Sequence, residues 1–171
     1  MTSFNKRVIM RIAVLADTHI PRSAQDLPLQ LYEEIKGVDM IIHAGDITEQ
    51  WVIDKLKKIA AVKAVYGNMD SNQVQRSLPE KEIIDINGVR IGVTHGKGAP
   101  DRLIEYTQGL FKGDGVNAII FGHSHSSVNK VKDGIVFFNP GSPTDKIFAS
   151  DNSFGILEIN NNSIIGTIKR I

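Results

Sequence analysis

The sequence predicts a mixed α/β domain in which two β-sheets pack together and helices lie outside them. In the first half of the chain, short apolar runs alternate with amphipathic segments, a pattern typical of parallel strands joined by right-handed crossovers. In the second half, most apolar runs come in pairs joined by short turn sequences, which indicates antiparallel hairpins. Two packed sheets with helices outside accommodate both patterns.

The first half of the chain contains three predicted strands and two predicted helices. The strands are expected at residues 8–16, 38–42 and 62–66, and the helices at residues 27–36 and 48–59. The first strand is nearly continuous in apolar residues, so both of its faces are expected to be buried. In the first helix, Leu27, Leu31 and Ile35 recur at helical spacing, and Gly37 stands where a C-cap belongs. Thr48 is the expected N-cap of the second helix.

The second half contains three predicted hairpins, with a helix at residues 101–111 and a strand at residues 117–121 between the first two. The paired strands are residues 82–86 with 89–93, residues 128–132 with 135–138, and residues 154–159 with 164–168. Their turns are Asn87-Gly88, Asp133-Gly134 and an asparagine-rich segment at residues 160–162. No repeat or linker divides the chain, so one domain is expected over residues 1–171. Residues 1–9 are expected to be an extension of it, because Met10 offers a second start.

The composition is that of an ordinary globular protein, with 42% hydrophobic and 23% charged residues. The 20 Lys and Arg against 19 Asp and Glu give a net charge of +1, which does not favour nucleic acid or a membrane surface as a partner. The chain has no cysteine, which excludes disulfides and thiolate metal sites. The N-terminus has no signal-peptide pattern, and Arg11 interrupts an apolar run too short to span a bilayer, so a cytoplasmic protein is expected.

Asp, His or Asn side chains follow five of the predicted strands. The segments are Asp17-Thr18-His19, His43-Ala44-Gly45-Asp46, Gly67-Asn68-Met69-Asp70, Thr94-His95-Gly96 and Gly122-His123-Ser124-His125. Sites in open α/β sheets lie at the carboxyl ends of strands, and Asp, His and Asn bind divalent transition metals. In an extended segment, residues i and i+2 point the same way. Asp17 and His19 are therefore expected to face one centre together, and so are His123 and His125.

Each of these segments alone has a simpler interpretation. A histidine after a strand is more often a surface or hydrogen-bonded residue than a ligand, and Asp or Gly-Asn commonly forms a turn or cap. However, four of the five histidines fall at strand ends beside Asp, Asn or another His, and turns do not explain all five segments together. We therefore predict a shared metal centre.

The ordered set of motifs resembles the calcineurin-like metallophosphoesterases. The motifs are Asp17-x-His19, Gly45-Asp46, Gly67-Asn68-x-Asp70, His95-Gly96 and Gly122-His123-x-His125. The compact length and Asn139-Pro140-Gly141-Ser142 are similar to the small bacterial and archaeal phosphodiesterase branch, which also includes the retromer subunit vacuolar sorting protein 29. The resemblance implies a four-layer αββα sandwich of two mixed β-sheets flanked by helices, and a homodimer.

The resemblance also implies a site for two divalent metal ions. One ion would take Asp17, His19 and His125, the other would take Asn68, His95 and His123, and Asp46 would bridge both. Mn²⁺ is the expected ion, with Ni²⁺, Fe, Co²⁺ and Zn²⁺ as alternatives, because O and N ligands suit all of them. His43 is expected to support the site without binding metal, and Asp70 to brace its loop.

The reaction that the resemblance implies is hydrolysis of a phosphate diester by a hydroxide that bridges the two ions. Asp46, Asn68 and His95 are the expected catalytic residues, because the ions they hold activate the hydroxide and clamp the phosphate. Many family members have His after Gly-Asn as a proton donor, whereas this chain has Met69, which predicts modest turnover and a preference for good leaving groups. Arg22 and Arg102 are expected to contact the substrate phosphate, and the alternative for each is a solvated surface arginine.

Three alternative functions within the same fold stay open. A scaffold would work by protein binding, although scaffolds tend to depart from the full ligand set that this chain keeps. A phosphomonoesterase would favour a proton donor where Met69 stands. A nuclease would favour a basic groove or an added cap domain, and this chain is nearly neutral and short. The sequence does not name the natural substrate.

Overall fold

The computed structural model describes residues 9–171. Of the predicted extension at residues 1–9, only Ile9 falls within this range, and Val8 of the predicted first strand falls outside it. The described residues form ten strands, four α-helices and one 3₁₀ helix. Their arrangement confirms the predicted sandwich of two mixed sheets flanked by helices.

The first sheet contains the strands of the βα-alternating first half and the last hairpin. Its strands are β1 (Met10–Leu15), β2 (Met40–Ala44), β3 (Ala61–Val65), β9 (Ser153–Asn160) and β10 (Ser163–Arg170). Their order across the sheet is β10-β9-β1-β2-β3. Strands β1, β2 and β3 are parallel, whereas β9 is antiparallel to both β1 and β10. The carboxyl ends of β1, β2 and β3 therefore lie at one edge of the sheet.

The second sheet contains the other two hairpins and one central strand. Its strands are β4 (Lys81–Ile86), β5 (Val89–Thr94), β6 (Ala118–Ile120), β7 (Val128–Lys132) and β8 (Ile135–Asn139), in the order β4-β5-β6-β8-β7. Strands β5, β6 and β8 are parallel. Asn87 and Gly88 join β4 to β5 with φ of 48° and 82°, as a type I′ hairpin turn requires.

Helices cover the outer face of each sheet. Helices α1 (Leu29–Glu34), α2 (Gln50–Leu56) and α3 (Asn72–Ser77) precede or follow the parallel strands of the first sheet. Buried Leu31, Val52 and Val74 of these helices pack with Ala13 and Leu15 of β1. On the second sheet, α4 (Leu103–Leu110) follows a 3₁₀ helix (Pro100–Arg102) and belongs to a cluster with residues of β6 and β8.

The largest side chain of the core between the sheets is Phe138 of β8. It is fully buried and packs with Ile12 and Val14 of β1 across the interface. A Cβ at Gly155 of β9 or Gly166 of β10 would collide with its ring. The two glycines therefore give the ring its space, and the two sheets pack closely at this point.

The helices differ from the prediction in length and number. The first two are shorter than expected, and α3 was not predicted. Thr48 is not an N-cap, because its φ is 88° and its backbone N–H donates to Asp70 Oδ1 at 2.5 Å. Glu49 takes the N-cap position instead. Among residues 9–171, no helix has the length and apolar character to cross a bilayer.

Candidate functional site

The predicted site segments of the two sheets meet at one edge of the sandwich. Gly122, after β6, donates its backbone N–H to the carbonyl of His95, after β5, at 3.1 Å. The His123 backbone N–H donates to Asp17 Oδ2, after β1, at 3.0 Å. The His95 ring contacts the Ala44 carbonyl of β2 through Nδ1 at 2.8 Å. The strand ends of both sheets are thus joined by direct hydrogen bonds.

One group of candidate ligands consists of Asp17, His19 and His125. The Nε2 atoms of His19 and His125 lie 3.2 Å apart. Asp17 Oδ1 lies 3.6 Å from His125 Nε2 and 4.0 Å from His19 Nε2. Asp17 is fully buried, and His19 is nearly so. These three side chains offer one oxygen and two nitrogens to a common point.

A second group forms around His95. Its Nε2 lies 3.3 Å from Asp46 Oδ2 and 3.3 Å from His123 Nδ1. Asp46 Oδ2 is also 3.6 Å from His19 Nε2, so this carboxylate reaches both groups. Asn68 is exposed and lines the same cleft. His123 and His125, two residues apart, therefore lie beside different partners, which are His95 and His19.

The prediction of an extended backbone for the Asp17–His19 and His123–His125 pairs is wrong. The candidate ligands with a left-handed backbone are Asp17, His19, Asp46, His123 and His125, with φ between 43° and 72°. The strands have already ended at these positions, and local turns aim the side chains. Asp17 and His19 do lie together, but turns in the left-handed conformation bring them there and not an extended backbone.

Glycines allow the backbone segments to approach the ligands. A Cβ on Gly122 would lie 2.9 Å from Asp17 Oδ2 and 3.0 Å from the Ala44 carbonyl oxygen. A Cβ on Gly67 would collide with the carboxylate of Asp46. Only glycine leaves the space that these side chains occupy.

The ionisable groups of the site are strongly coupled. Burial raises the pKa of the Asp17 carboxyl to about 7, although the nearby charges of His95 and His125 oppose the shift. Burial alone would lower the pKa of His95, but its hydrogen bond with Asp46 and the charges of Asp17 and Asp46 raise it to about 9. The polypeptide thus holds carboxylates and imidazoles in a buried place where a cation would be stabilised.

His43 and Asp70 contact the loops that carry candidate ligands. His43 is completely buried, and its Nε2 lies 3.1 Å from Thr18 Oγ1. Burial and, to a smaller extent, the positive charge of His95 lower the pKa of His43 to about 3. Asp70 accepts the backbone N–H of Thr48 and, at 2.7 Å, that of Gly67. Asp70 therefore ties the loop after β2 to the loop after β3.

Asp145 is a residue of the site that the sequence motifs do not include. Its Oδ2 lies 2.5 Å from His125 Nδ1, on the opposite side of the ring from the nitrogen that faces His19. Hydrogen bonds from Ser142 Oγ to the Asp17 carbonyl and from Thr144 Oγ1 to the Thr18 carbonyl, each of 2.7 Å, bring this region to the site. Asp145 comes three residues after Asn139-Pro140-Gly141-Ser142, and an acidic residue just after that family motif was the available signal.

Five of the seven candidate ligands form the floor of a cleft of about 650 Å³, namely His19, Asp46, Asn68, His123 and His125. Arg22, one of the two predicted phosphate contacts, is exposed and lines this cleft. Arg102, the other predicted phosphate contact, lies outside the lining. It sits on the exposed 3₁₀ helix, and its guanidinium donates to Glu105 Oε2 at 3.0 Å.

The donor set fits divalent transition ions. Ligand atoms that share an ion at about 2.1 Å lie roughly 3–3.5 Å from one another. The His19–His125 and His95–His123 nitrogen separations of 3.2 and 3.3 Å fall in that range. Imidazole and carboxylate are the ligands that such ions accept in the absence of thiolates.

Known proteins are similar to this chain in sequence and in fold. Residues 10–162 match the family model for the calcineurin-like phosphoesterase superfamily domain. A probable metallophosphoesterase of Methanocaldococcus jannaschii is 41% identical over 143 residues, which cover 79% of this chain and 69% of that protein. A phosphodiesterase of the same organism is 26% identical over 144 residues, which cover 77% of this chain and 83% of that protein.

A solved structure is also similar to this chain in fold and sequence. The crystal structure of Vps29 from Entamoeba histolytica, complexed with Zn²⁺, has a TM-score of 0.75 and 26% identity, with 95% of this chain and 98% of that chain covered. The family match covers all five site segments and strands β1 to β9, and it ends just before β10. The resemblance seen in the motifs is thereby confirmed, and the chain belongs to the calcineurin-like phosphoesterase superfamily.

Proposed function

We propose that the protein is a metal-dependent phosphodiesterase with a centre for two divalent ions. The observation that supports it best is the convergence of two histidine pairs on two buried carboxylates, Asp17 and Asp46. The metallophosphoesterase fold implies divalent ions, and Mn²⁺ is the first to test, followed by Ni²⁺, Fe, Co²⁺ and Zn²⁺.

The proposed ligands divide between the two ions. Asp17, His19 and His125 hold one ion, and Asn68, His95 and His123 hold the other. Asp46 bridges them, which its short distances to both His19 and His95 support. The ring partners of the histidines fix which nitrogen is free to bind, because Ala44 carbonyl contacts His95 Nδ1 and Asp145 contacts His125 Nδ1.

The bound ions, Arg22 and the backbone of Met69 would each contribute to hydrolysis in a different way. When bound, the ions supply hydroxide near neutral pH and offset charge that develops on the phosphoryl group. Arg22, at the side of the cleft, offers a further positive charge to the phosphate. The backbone N–H of Met69 donates to Asp46 Oδ1 at 2.7 Å and so orients the bridging carboxylate.

A diester substrate is favoured over a monoester by Met69. This residue stands where many family members have a proton-donating histidine, and its thioether has no proton to give. Leaving groups that depart without protonation are therefore preferred, and turnover is modest with poor ones. The phosphodiesterase relative of Methanocaldococcus jannaschii supports the same substrate class.

Hydrolysis of bis(p-nitrophenyl) phosphate tests the proposal. We expect metal-stripped protein to be inactive and Mn²⁺ or Ni²⁺ to restore activity, with p-nitrophenyl phosphate a poorer substrate. Asp46→Asn should lower diester hydrolysis by at least about 100-fold, because it weakens both ion sites. Asp85→Asn, at an exposed position of β4 outside the cleft lining, is the matched control.

The outcomes separate the alternatives. A monoester preference would contradict the diesterase and favour a phosphomonoesterase. Absence of both hydrolysis and metal binding would contradict the enzyme and favour a scaffold of the same fold.

A further inference from the structure

The cleft has a polar floor and an apolar rim. Four rim residues, Met69, Pro100, Ile147 and Phe148, line it above the histidines and carboxylates. Ile147 is 80% exposed and Phe148 is 75% exposed, although each is a large apolar side chain. Exposed apolar surface continuous with a polar site commonly serves a ligand.

The rim segment is tied to the floor through Asp145. The carboxylate of Asp145 accepts the backbone N–H groups of Ile147 at 2.9 Å, Phe148 at 3.1 Å and Ala149 at 2.9 Å. The same carboxylate contacts His125 Nδ1. One buried side chain therefore fixes a candidate metal ligand and the segment that carries two exposed apolar side chains.

Phe148 stands directly beside the floor. Its ring centroid lies 5.9 Å from that of His125, with the planes at 79°. This edge-to-face contact holds one part of the phenyl ring, and the rest is solvent-accessible. A group attached to a phosphate on the floor would reach the free part of the ring.

We propose that the cleft selects phosphodiesters in which one esterifying group is flat and aromatic. This inference rests on the proposed function and deepens it. The phosphate meets the floor and Arg22, while the aromatic group lies against Phe148 and Ile147. A diester has two esterifying groups, so one departs and the other remains for the rim to recognise.

A flat ring fits this rim better than a flexible alkyl chain. Aromatic pairs gain ring–ring attraction beyond the buried area. An alkyl chain must also lose rotational freedom when it is held against a surface. A short or hydrophilic esterifying group would leave Ile147 and Phe148 in water.

Equilibrium binding of diesters with poorer leaving groups than p-nitrophenol tests the inference directly. Diphenyl, dibutyl and dimethyl phosphate carry the same charge and are titrated by calorimetry into Zn²⁺-treated full-length protein. We expect diphenyl phosphate to bind roughly 3- to 10-fold more tightly than dimethyl phosphate, with dibutyl phosphate between them. Phe148→Ala should bring diphenyl and dimethyl phosphate within about twofold.

Two further variants make the test specific. Phe148→Trp keeps a flat ring and should keep the preference for diphenyl phosphate. Leu29→Ala removes an apolar side chain that is 83% exposed on α1, outside the cleft lining, and should leave all three affinities unchanged. Equal affinities for the three diesters, or a preference that persists in Phe148→Ala, would overturn the inference. So would dibutyl phosphate binding as tightly as diphenyl phosphate.

A kinetic comparison separates this inference from the proposed function. Methyl p-nitrophenyl phosphate and the p-nitrophenyl ester of thymidine 5′-phosphate share a leaving group and differ in the group that remains. We expect the thymidine ester to have the lower KM, and Phe148→Ala to remove that advantage with similar kcat. Hydrolysis of both at equal KM overturns the inference and leaves the phosphodiesterase intact. No hydrolysis, with the diphenyl preference present, contradicts the phosphodiesterase and supports the aromatic site.

Discussion

The left-handed backbone of the candidate ligands is a residue-scale property with an energetic cost. A non-glycine residue in this conformation costs of order 1–3 kcal/mol, so its surroundings must hold it there. Asp17 N–H donates to the Gly45 carbonyl and His19 N–H donates to the Asp46 carbonyl, each at 3.0 Å. Such conformations cluster at functional sites, which agrees with a centre assembled for binding rather than a set of plain turns.

The contact between Asp145 and His125 predicts a loss of metal affinity in Asp145→Asn. The carboxylate orients the ring and leaves its opposite nitrogen free to bind, and removal of such partners typically costs about 10- to 100-fold in metal affinity. Competition with a metal-indicator chelator measures the affinity without any need for turnover. We expect Zn²⁺ to bind 10-fold or more weakly.

The control for this variant is Asp151→Asn. Asp151 lies in the same region, is largely exposed and pairs with Arg170 at 3.4 Å. The Asp151→Asn protein should bind Zn²⁺ with the same affinity as the unchanged protein. Equal affinity in Asp145→Asn and Asp151→Asn would show that Asp145 does not position His125.

The burial of His43 predicts stability that falls in acid. Its pKa is about 3 in the folded state, below the ordinary value of 6.5, so the unfolded chain binds a proton that the folded chain excludes. The stabilisation is therefore complete above pH 6.5 and is lost as the pH falls toward 3. The slope is at most about 1.4 kcal/mol per pH unit.

Urea unfolding at pH 7, 6 and 5 measures this effect. In His43→Gln the titrating group is absent, so its free energy of unfolding should fall less steeply in acid. We expect the difference between the two proteins to shrink by up to about 2 kcal/mol between pH 6.5 and 5. Parallel curves would mean that His43 is not held neutral by the fold.

At the scale of elements, the site depends on how closely the turn after β6 approaches the ends of β1 and β2. Gly122→Ala would place a Cβ within 3.0 Å of Asp17 Oδ2, Ala16 Cβ and the Ala44 carbonyl. Overpacking of this kind typically costs about 1–3 kcal/mol. We expect lower thermal stability together with weaker metal binding, because the displaced atoms include a proposed ligand.

Gly109→Ala is the matched control with the opposite expected sign. Gly109 lies within α4, and no described atom outside its helix comes within 4 Å of the Cβ that alanine would add. Alanine should stabilise the helix by roughly 0.5–1 kcal/mol. A Gly122→Ala protein as stable as the unchanged chain would contradict the close approach.

At the scale of the whole molecule, the sheets were easier to predict than the site. The Asn87-Gly88 turn predicted its hairpin, since its left-handed residues leave few other conformations. Helix α3 was not predicted, because Val74 is its one buried residue and the helix therefore shows no apolar periodicity. Asp145 was not predicted as a site residue, because its role depends on a contact with His125, which lies 20 residues earlier in the sequence. The division of ligands between two ions came from the family resemblance.

We also propose that residues 1–171 form one phosphoesterase domain. If both sheets of this domain hold the ions, metal binding should raise its thermal stability. The first sheet supplies Asp17, His19 and Asp46, and the second supplies His95, His123 and His125. Bound ions would link the sheets, and a ligand at 100 times its Kd stabilises the folded state by about 2.7 kcal/mol. For a chain of this size, Tm should rise by roughly 5–11 °C. Calorimetry of metal-stripped protein with and without Zn²⁺ measures the shift, which Asp46→Asn should largely abolish. A Tm that does not respond to Zn²⁺ or Mn²⁺ would contradict an inter-sheet metal centre.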